Sequence, residues 1–340
     1  MSVSLPSFAK INLGLRIGPV RKDGFHELRT VYQTLALHDT IRVSITPGSG
    51  IEIRCDDRRV PLDPSNTCYQ VVERAVAALQ AGGRVLIEIE KHLPVQGGLG
   101  GASGNAVSAL LGFERALGRA LSGADRLRIA AEVGSDLPLF LMGGTVLGVG
   151  HGEEVYPLPD LPAMPSVIAL PEIAVSTPKA FSDWDELSNA GGLSSRTAGD
   201  GDSSAIKLKN PAPFDTMTKF SREISAWLSA EPAFARRRRS GVSAPGGGRA
   251  ENPLLDLVRT GIENDFEKVV FPQHPELREV KDVLEQSGAW HASLSGSGSA
   301  VYGLFDSREG AARAAKKLIG RGTPAVVTST LTRRQYWQSF

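Results

Sequence analysis

Apolar and polar residues alternate over the first part of the chain. "TIRVSI" and "IEIRC" place apolar side chains at every second position, as a sheet with one buried face requires. The rhythm then changes, and in "YQVVERAVAAL" Val72, Ala75, Val76 and Leu79 fall on one helical face. "RVLIEIE" returns to alternation, with Val85, Ile87 and Ile89 pointing one way and Glu88 and Glu90 the other. A second helix carries Ala106, Leu110, Phe113 and Leu117 as its core-facing stripe. A third, "DRLRIAAEV", is expected to stop at Gly134, whose missing side chain suits a left-handed position.

Four prolines between Pro157 and Pro165 break the pattern and mark a domain boundary, dividing the chain into an N-terminal domain of residues 1–160 and a C-terminal domain of 161–340. Beyond it, "PLLDLVRTGIENDFEKVV" predicts a long amphipathic helix through Leu255, Val258, Ile262, Phe266 and Val269. "LREVKDVLEQ" and "GAARAAKKLI" predict two more helices, and "SAVYGLF" and "PAVVTSTL" two strands. Helices and strands mix in both halves. Residues 189–211 and 236–253 are rich in Gly, Ser, Pro and charge with few large apolar groups, and are expected to be mobile insertions.

Composition narrows the ligand class. The chain has 340 residues, 41% of them hydrophobic, enough for two domains with real cores. Lys and Arg total 38 against 37 for Asp and Glu, so the overall charge gives no reason to expect nucleic acid or an anionic membrane as partner. The run "RRRRS" at 236–240 reads as solvated charge beside a Gly/Pro-rich loop. Cys55 and Cys68 lie thirteen positions apart, unlike a zinc site or a CxxC pair, and are expected to be reduced thiols. No signal peptide and no apolar run of about 20 residues is visible, so a cytoplasmic location is expected. A small-molecule partner remains.

One segment carries candidate chemistry. "KHLPVQGGLGGASGNAVSALL" holds Gly97, Gly98, Gly100 and Gly101 directly before a helix. N–H groups at a helix start lack intrahelical partners and carry partial positive charge, and glycines let phosphate oxygens come close to the backbone. The loop reads as a phosphate cradle or as a tight turn serving packing alone. It is not a P-loop, because the run ends Ala102-Ser103-Gly104-Asn105 rather than Gly-Lys-Ser/Thr. Nor does it sit in the first βα turn, where a dinucleotide fingerprint belongs.

Pro94 followed by "GGLGGAS" resembles the nucleotide loop of the GHMP kinases, the superfamily named for galactokinase, homoserine kinase, mevalonate kinase and phosphomevalonate kinase. "FAKINLGLRIG", "DGFHEL" and "GSDLPLFL" sharpen the resemblance to the branch that acts on 4-diphosphocytidyl-2-C-methyl-D-erythritol in the non-mevalonate route to isoprenoid precursors. "GHGEEVYPL", "NDFE" and "SLSGSGSAVYGLF" follow in that branch's order. The resemblance implies an α+β, two-domain GHMP kinase fold, with a ribosomal-S5-domain-2-like N-terminal domain and a ferredoxin-like C-terminal domain. It also implies transfer of the ATP γ-phosphoryl group to the substrate's 2-hydroxyl.

Carried over residue by residue, the resemblance makes Asp136 the general base and Lys10 its cationic partner. Asp136 also reads as a helix N-cap, a compatible role. Phe25 and His26 become contacts to the cytosine base, with Phe181 as the opposing aromatic wall, and Asn12 and Thr177 lie on the erythritol phosphate side. ATP is expected over Pro94, Gly97, Gly98, Leu99, Gly100, Gly101, Ala102, Ser103, Gly104 and Asn105, with Asn66 and Lys91 on the nucleoside side. The family loop usually carries two adjacent hydroxyl residues where this chain has Ser103 and then Gly104. One hydroxyl is thereby removed from the phosphate and Mg²⁺ neighbourhood, and Mg²⁺ is expected with ATP, an ion that can travel with the nucleotide and retain waters. The loop at Gly296 and Gly298 is expected to approach the site by its backbone, or to be only a tight turn before a strand.

Overall fold

The alternating residues near the N-terminus form two strands far longer than the short runs they suggested. In the structure, a computed structural model that describes residues 2–95, 97–193 and 263–340, β1 (Ser2–Val20) and β2 (His26–Thr46) pair antiparallel almost throughout. The other edge of β2 is shared: Thr30–Gln33 pairs with β5 (Thr145–Val149), and Thr40–Thr46 with β4 (Gly83–Glu90). β3 (Ser49–Cys55) runs parallel to β4, and β6 (Glu154–Pro157) closes the other side against β5. β1 runs through Pro6, Asn12 and Gly14 with register shifts between Phe8 and Lys10 and between Asn12 and Gly14, so local turn signals in the sequence point to shorter runs than the pairing with β2 sustains.

Helices α1 (Thr67–Leu79), α2 (Gly101–Leu117), α3 (Gly123–Val133) and α4 (Leu137–Met142) pack with this sheet around one apolar cluster that includes Ile41, Val43, Val71, Ile87, Leu110, Phe113 and Phe140. α3 ends where expected but not as expected. Gly134 has φ 176°, extended backbone open to any residue, so its glycine is not needed for a left-handed turn.

A second sheet holds β7 (Pro165–Ala169), β8 (His291–Leu294), β9 (Val301–Leu304) and β10 (Ala325–Ser329), all antiparallel, in the order β10-β7-β9-β8. α5 (Thr177–Leu193), α6 (Glu267–Gln273) and α7 (Pro275–Gln286) come between β7 and β8, and α8 (Arg308–Ile319) between β9 and β10. Helical crossings after the first and third strands, with spatial order 4-1-3-2, make the βαββαβ plan of a ferredoxin-like domain. Two expectations change here. Glu263–Phe266 is not helical: Asn264 forms a bridge with Leu15, and helix begins only at Glu267. Leu255, Val258 and Ile262 lie outside the described residues, as do 194–211 and 236–253, whereas 189–193 form the last turn of α5 rather than part of an insertion.

The two sheets meet through β1. Ala9, Ile11 and Leu13 are fully buried with Ile168, Tyr302 and Leu304, so alternate positions of β1 are committed to the second sheet. A terminal helix α9 (Arg333–Gln338) returns to the first sheet's helices, where the Tyr336 hydroxyl donates to the Phe140 carbonyl at 2.6 Å.

Candidate active site

Between the residues that β1 buries stand Lys10 and Asn12, pointing the other way. The Lys10 backbone N–H donates to the Leu99 carbonyl at 2.9 Å, which fastens β1 to the glycine loop. Its ammonium, only 4% exposed as a residue, donates to Asn12 Oδ1 at 2.8 Å and lies 3.3 Å from Asp136 Oδ2. Asn12 is held in turn, since its Nδ2 donates to Thr30 Oγ1 at 2.7 Å. Burying an ammonium is costly without such partners, and here the carboxylate is on another element entirely.

Asp136 sits at the N-cap position of α4, but its side chain caps nothing. It reaches instead to Lys10 and accepts a hydrogen bond from the Tyr32 hydroxyl at 3.0 Å on its other oxygen. Its side chain is 31% exposed against 5% for Lys10, so the carboxylate is the open member of the pair. Burial, and then the negative charge of Asp136, push the Tyr32 phenol well above its ordinary pKa, so it remains a donor.

The glycine loop brings these elements together. Gly100 has φ +69°, and a Cβ there would lie 2.9 Å from Lys10 Cγ and 3.0 Å from Phe140 Cζ; only glycine lets the loop pass between β1 and α4. α2 then begins at Gly101 with no side chain capping its first N–H groups. These groups border a cavity of about 340 Å³, lined also by Pro94, Gly97, Gly98, Leu99, Ala102, Ser103 and Asn105. Asn66 and Lys91 line it too, but both are engaged. Asn66 caps α1 by accepting the Cys68 N–H at 2.8 Å and donates to the Pro61 carbonyl, while Lys91 is ion-paired with the fully buried Asp39. Asp39 also accepts the N–H groups of His92 and Leu93, fixing the approach to the loop. A larger groove, about 510 Å³, lies near the C-terminal end of α2 and contains none of these residues.

Gly104 does not face the cavity. A Cβ there would lie 2.8 Å from the Phe8 carbonyl oxygen and 3.0 Å from Ser7 Oγ, so the position serves the packing of α2 on β1, and its lack of a hydroxyl subtracts nothing from the cavity wall. Asn105, one residue on, is buried and accepts from Ser7 Oγ at 2.6 Å.

From the second sheet, the loop at Gly296 comes within reach of the same groups. A Cβ at Gly296 would lie 3.5 Å from Asn12 Oδ1 and 3.7 Å from Lys10 Nζ, and one at Gly98 would lie 2.2 Å from the Ser295 carbonyl oxygen. Asn264 holds this loop, its Nδ2 donating to the carbonyls of Leu294 and Gly296. Thr177 joins it through a 2.7 Å hydroxyl contact with Ser297. Tyr32 and Asn264 were not singled out in the sequence, although Asn264 opens the "NDFE" segment; a register for β2 was needed to find Tyr32.

The aromatic residues depart from the expected arrangement. His26 is buried, stacked on Phe181 at 5.0 Å with an interplanar angle of 6°, and Phe181 meets Phe266 edge-on at 4.9 Å. Phe181 therefore belongs to the second apolar cluster, with His26 already on one face, and does not stand open opposite Phe25. The His26 ring is pinned by the Gly18 carbonyl at 3.1 Å and by Asp185 at 3.3 Å. Phe25 is 60% exposed, with His151 at 5.2 Å between ring centroids.

Among the described residues no group of three or more His, Cys, Asp or Glu is assembled to hold a metal ion, and no helix is long and apolar enough to cross a membrane.

Family models for the GHMP kinases N terminal domain and the GHMP kinases C terminal region match residues 66–144 and 251–322. Fold and glycine loop are thus those of a GHMP kinase. A 4-diphosphocytidyl-2-C-methyl-D-erythritol kinase from Solibacter usitatus is 36% identical over 332 residues, covering 98% of this chain and 90% of the relative. One from Acaryochloris marina is 33% identical, covering 93% and 91%. The chain belongs to the 4-diphosphocytidyl-2-C-methyl-D-erythritol kinase family. Among solved structures, a 4-(cytidine 5'-diphospho)-2C-methyl-D-erythritol kinase superposes with TM-score 0.68 at 26% identity, covering 97% of this chain and 99% of the other. A homoserine kinase from Cytophaga hutchinsonii shares the fold at TM-score 0.68 and 19% identity, covering 97% and 95%.

Proposed function

We propose that this chain transfers the γ-phosphoryl group of ATP to the 2-hydroxyl of 4-diphosphocytidyl-2-C-methyl-D-erythritol, with Asp136 as general base. The observation that carries this reading is the Asp136 carboxylate, partly open, held between the Lys10 ammonium at 3.3 Å and the Tyr32 hydroxyl at 3.0 Å. A tertiary alcohol is a weak nucleophile. As its oxygen bonds to the γ-phosphorus, its proton passes to Asp136 and the bond from phosphorus to the β,γ-bridging oxygen breaks, releasing ADP. General-base help of this kind supplies about 10²–10⁴-fold, with positioning and charge stabilisation supplying most of the rest. Lys10 orients the carboxylate and offsets charge on the phosphoryl oxygens.

ATP lies in the cavity over Pro94, Gly97 to Ser103, Asn105 and the uncapped start of α2, with Asn66 and Lys91 on the nucleoside side. That wall has backbone donors but no carboxylate among its lining residues, which suits a nucleotide whose Mg²⁺ keeps its own phosphate and water ligands. Mg²⁺ bound this way neutralises phosphate charge. Asn12 and Thr177 contact the erythritol phosphate side. Phe25 and His26 receive the cytosine, with Phe181 supporting His26 from behind. The partner is this small molecule rather than nucleic acid or a membrane, and two unpaired thiols, Cys55 and Cys68, fit a reducing cytoplasm.

Phosphorus NMR with Mg-ATP and parallel acceptors tests the reading. A new phosphomonoester resonance with ADP is expected only with the cytidine diphosphate-linked alcohol, and none with homoserine or mevalonate. Asp136→Asn should abolish turnover while ATP affinity stays nearly unchanged. If that variant kept more than a tenth of the rate, Asp136 would not be the base.

A further inference from the structure

We propose that Tyr32 is a positioning residue for the phosphoryl transfer, holding the Asp136 carboxylate aimed at the acceptor, and that Gly148 and Gly152 are the residues that make room for it. The inference rests on Asp136 being the base.

Three observations carry it. Tyr32 lies opposite Asn12 in the β1–β2 register and opposite Val146 on β5, so its side chain rises from the middle of the sheet between two strands that cannot shift independently. Its hydroxyl donates to Asp136 Oδ1 at 3.0 Å, while Lys10 takes Oδ2, so each carboxylate oxygen has its own donor and rotation about the terminal bond is resisted from both sides. The Lys10 ammonium also lies 5.5 Å from the centre of the Tyr32 ring.

The space around that ring is made by missing side chains. A Cβ at Gly148 would lie 2.5 Å from Tyr32 Cε2, and one at Gly152 would lie 2.6 Å from the Tyr32 hydroxyl oxygen. The first distance is to the ring edge and the second to the donating atom, so larger residues at either position displace the phenol from Asp136. β5 and the turn that follows it therefore shape the site without touching the reacting atoms.

The polar groups about the Tyr32–Asp136 pair come from four elements. Lys10 faces it from β1 and Tyr32 from β2. From the β5–β6 turn, Glu153 accepts the His151 N–H at 2.7 Å and adds negative charge on the Tyr32 side. From the segment before α4, Ser135 contacts His151 Nδ1 at 2.8 Å. Of these, Tyr32 is the neutral donor to the carboxylate.

Tyr32→Phe keeps the ring and removes only the hydroxyl. The expected result is a kcat lowered about three- to tenfold, with KM for both substrates within about twofold of the parent. In the Asp136→Asn background the same change should have no further effect, because there is no base left to position. Should Asp136→Asn retain substantial turnover, the base assignment fails first and by itself. An inactive Asp136→Asn enzyme together with a Tyr32→Phe enzyme of unchanged kcat overturns the positioning role while leaving the base in place. A Tyr32→Phe enzyme whose only change is a raised KM for the alcohol also overturns it, since Tyr32 would then be a substrate contact.

Discussion

Gly98 and Gly118 have almost the same backbone, with φ of +73° and +71°, yet their surroundings are opposite. A Cβ at Gly98 would lie 2.2 Å from the Ser295 carbonyl oxygen and 3.0 Å from that of Gly298, whereas a Cβ at Gly118 would meet nothing within 4 Å. Alanine at 118 therefore reports the cost of left-handed backbone alone, about 1–2 kcal/mol. Alanine at 98 carries that cost plus overpacking against backbone that cannot rotate aside, about 1–3 kcal/mol more. The clash is relieved only by moving the glycine loop away from the Ser295–Ser299 segment, which Gly97 and Gly98 otherwise hold through the Ala300 N–H at 3.2 Å and Ser295 Oγ at 2.9 Å. Gly98→Ala should lower the urea midpoint well beyond Gly118→Ala and lose ATP-dependent turnover, while Gly118→Ala keeps it. Equal midpoints in the two variants, with turnover kept in Gly98→Ala, would refute the claim that this contact joins the two halves of the site.

Gly104→Ser should destabilise without raising activity, because its Cβ would press on the Phe8 carbonyl rather than reach the cavity; a gain in turnover or nucleotide affinity would contradict that orientation. The pH dependence of stability has one clear source in His291, held neutral mainly by burial, with Lys281 adding to it, its pKa lowered to about 4. The unfolded chain takes up this proton below about 6.5, so the fold should lose up to about 3 kcal/mol as pH falls from about 6.5 to about 4. His291→Gln should flatten the melting temperature across that window, and an unchanged slope would place the acid sensitivity elsewhere.

Much of the fold was legible in the linear pattern because local periodicity reports burial. The alternation of "RVLIEIE" and the helical stripe from Ala106 to Leu117 survive in the structure, whereas the ferredoxin-like order of the second half was implied by the resemblance and not by periodicity. The helix expected across residues 253–270 shows the limit, since its described part opens with Asn264 bridged to Leu15, a contact from far away in sequence that outweighs helical spacing.

The glycine loop and the resemblance it carries were fixed by sequence, because conformational freedom is a property of single residues and four glycines before a helix state it directly. Partnership is not local in that way. Lys10, Tyr32 and Asp136 come from three separate elements, and only the register of β2 and the path of α4 bring them within hydrogen-bonding distance. The same holds for Gly104, whose direction follows from how α2 lies on β1, and for Phe181, which His26 stacks upon. Sequence named the chemical groups; tertiary packing decided which atoms they face, because hydrogen bonds and steric contacts depend on distances that chain order does not encode.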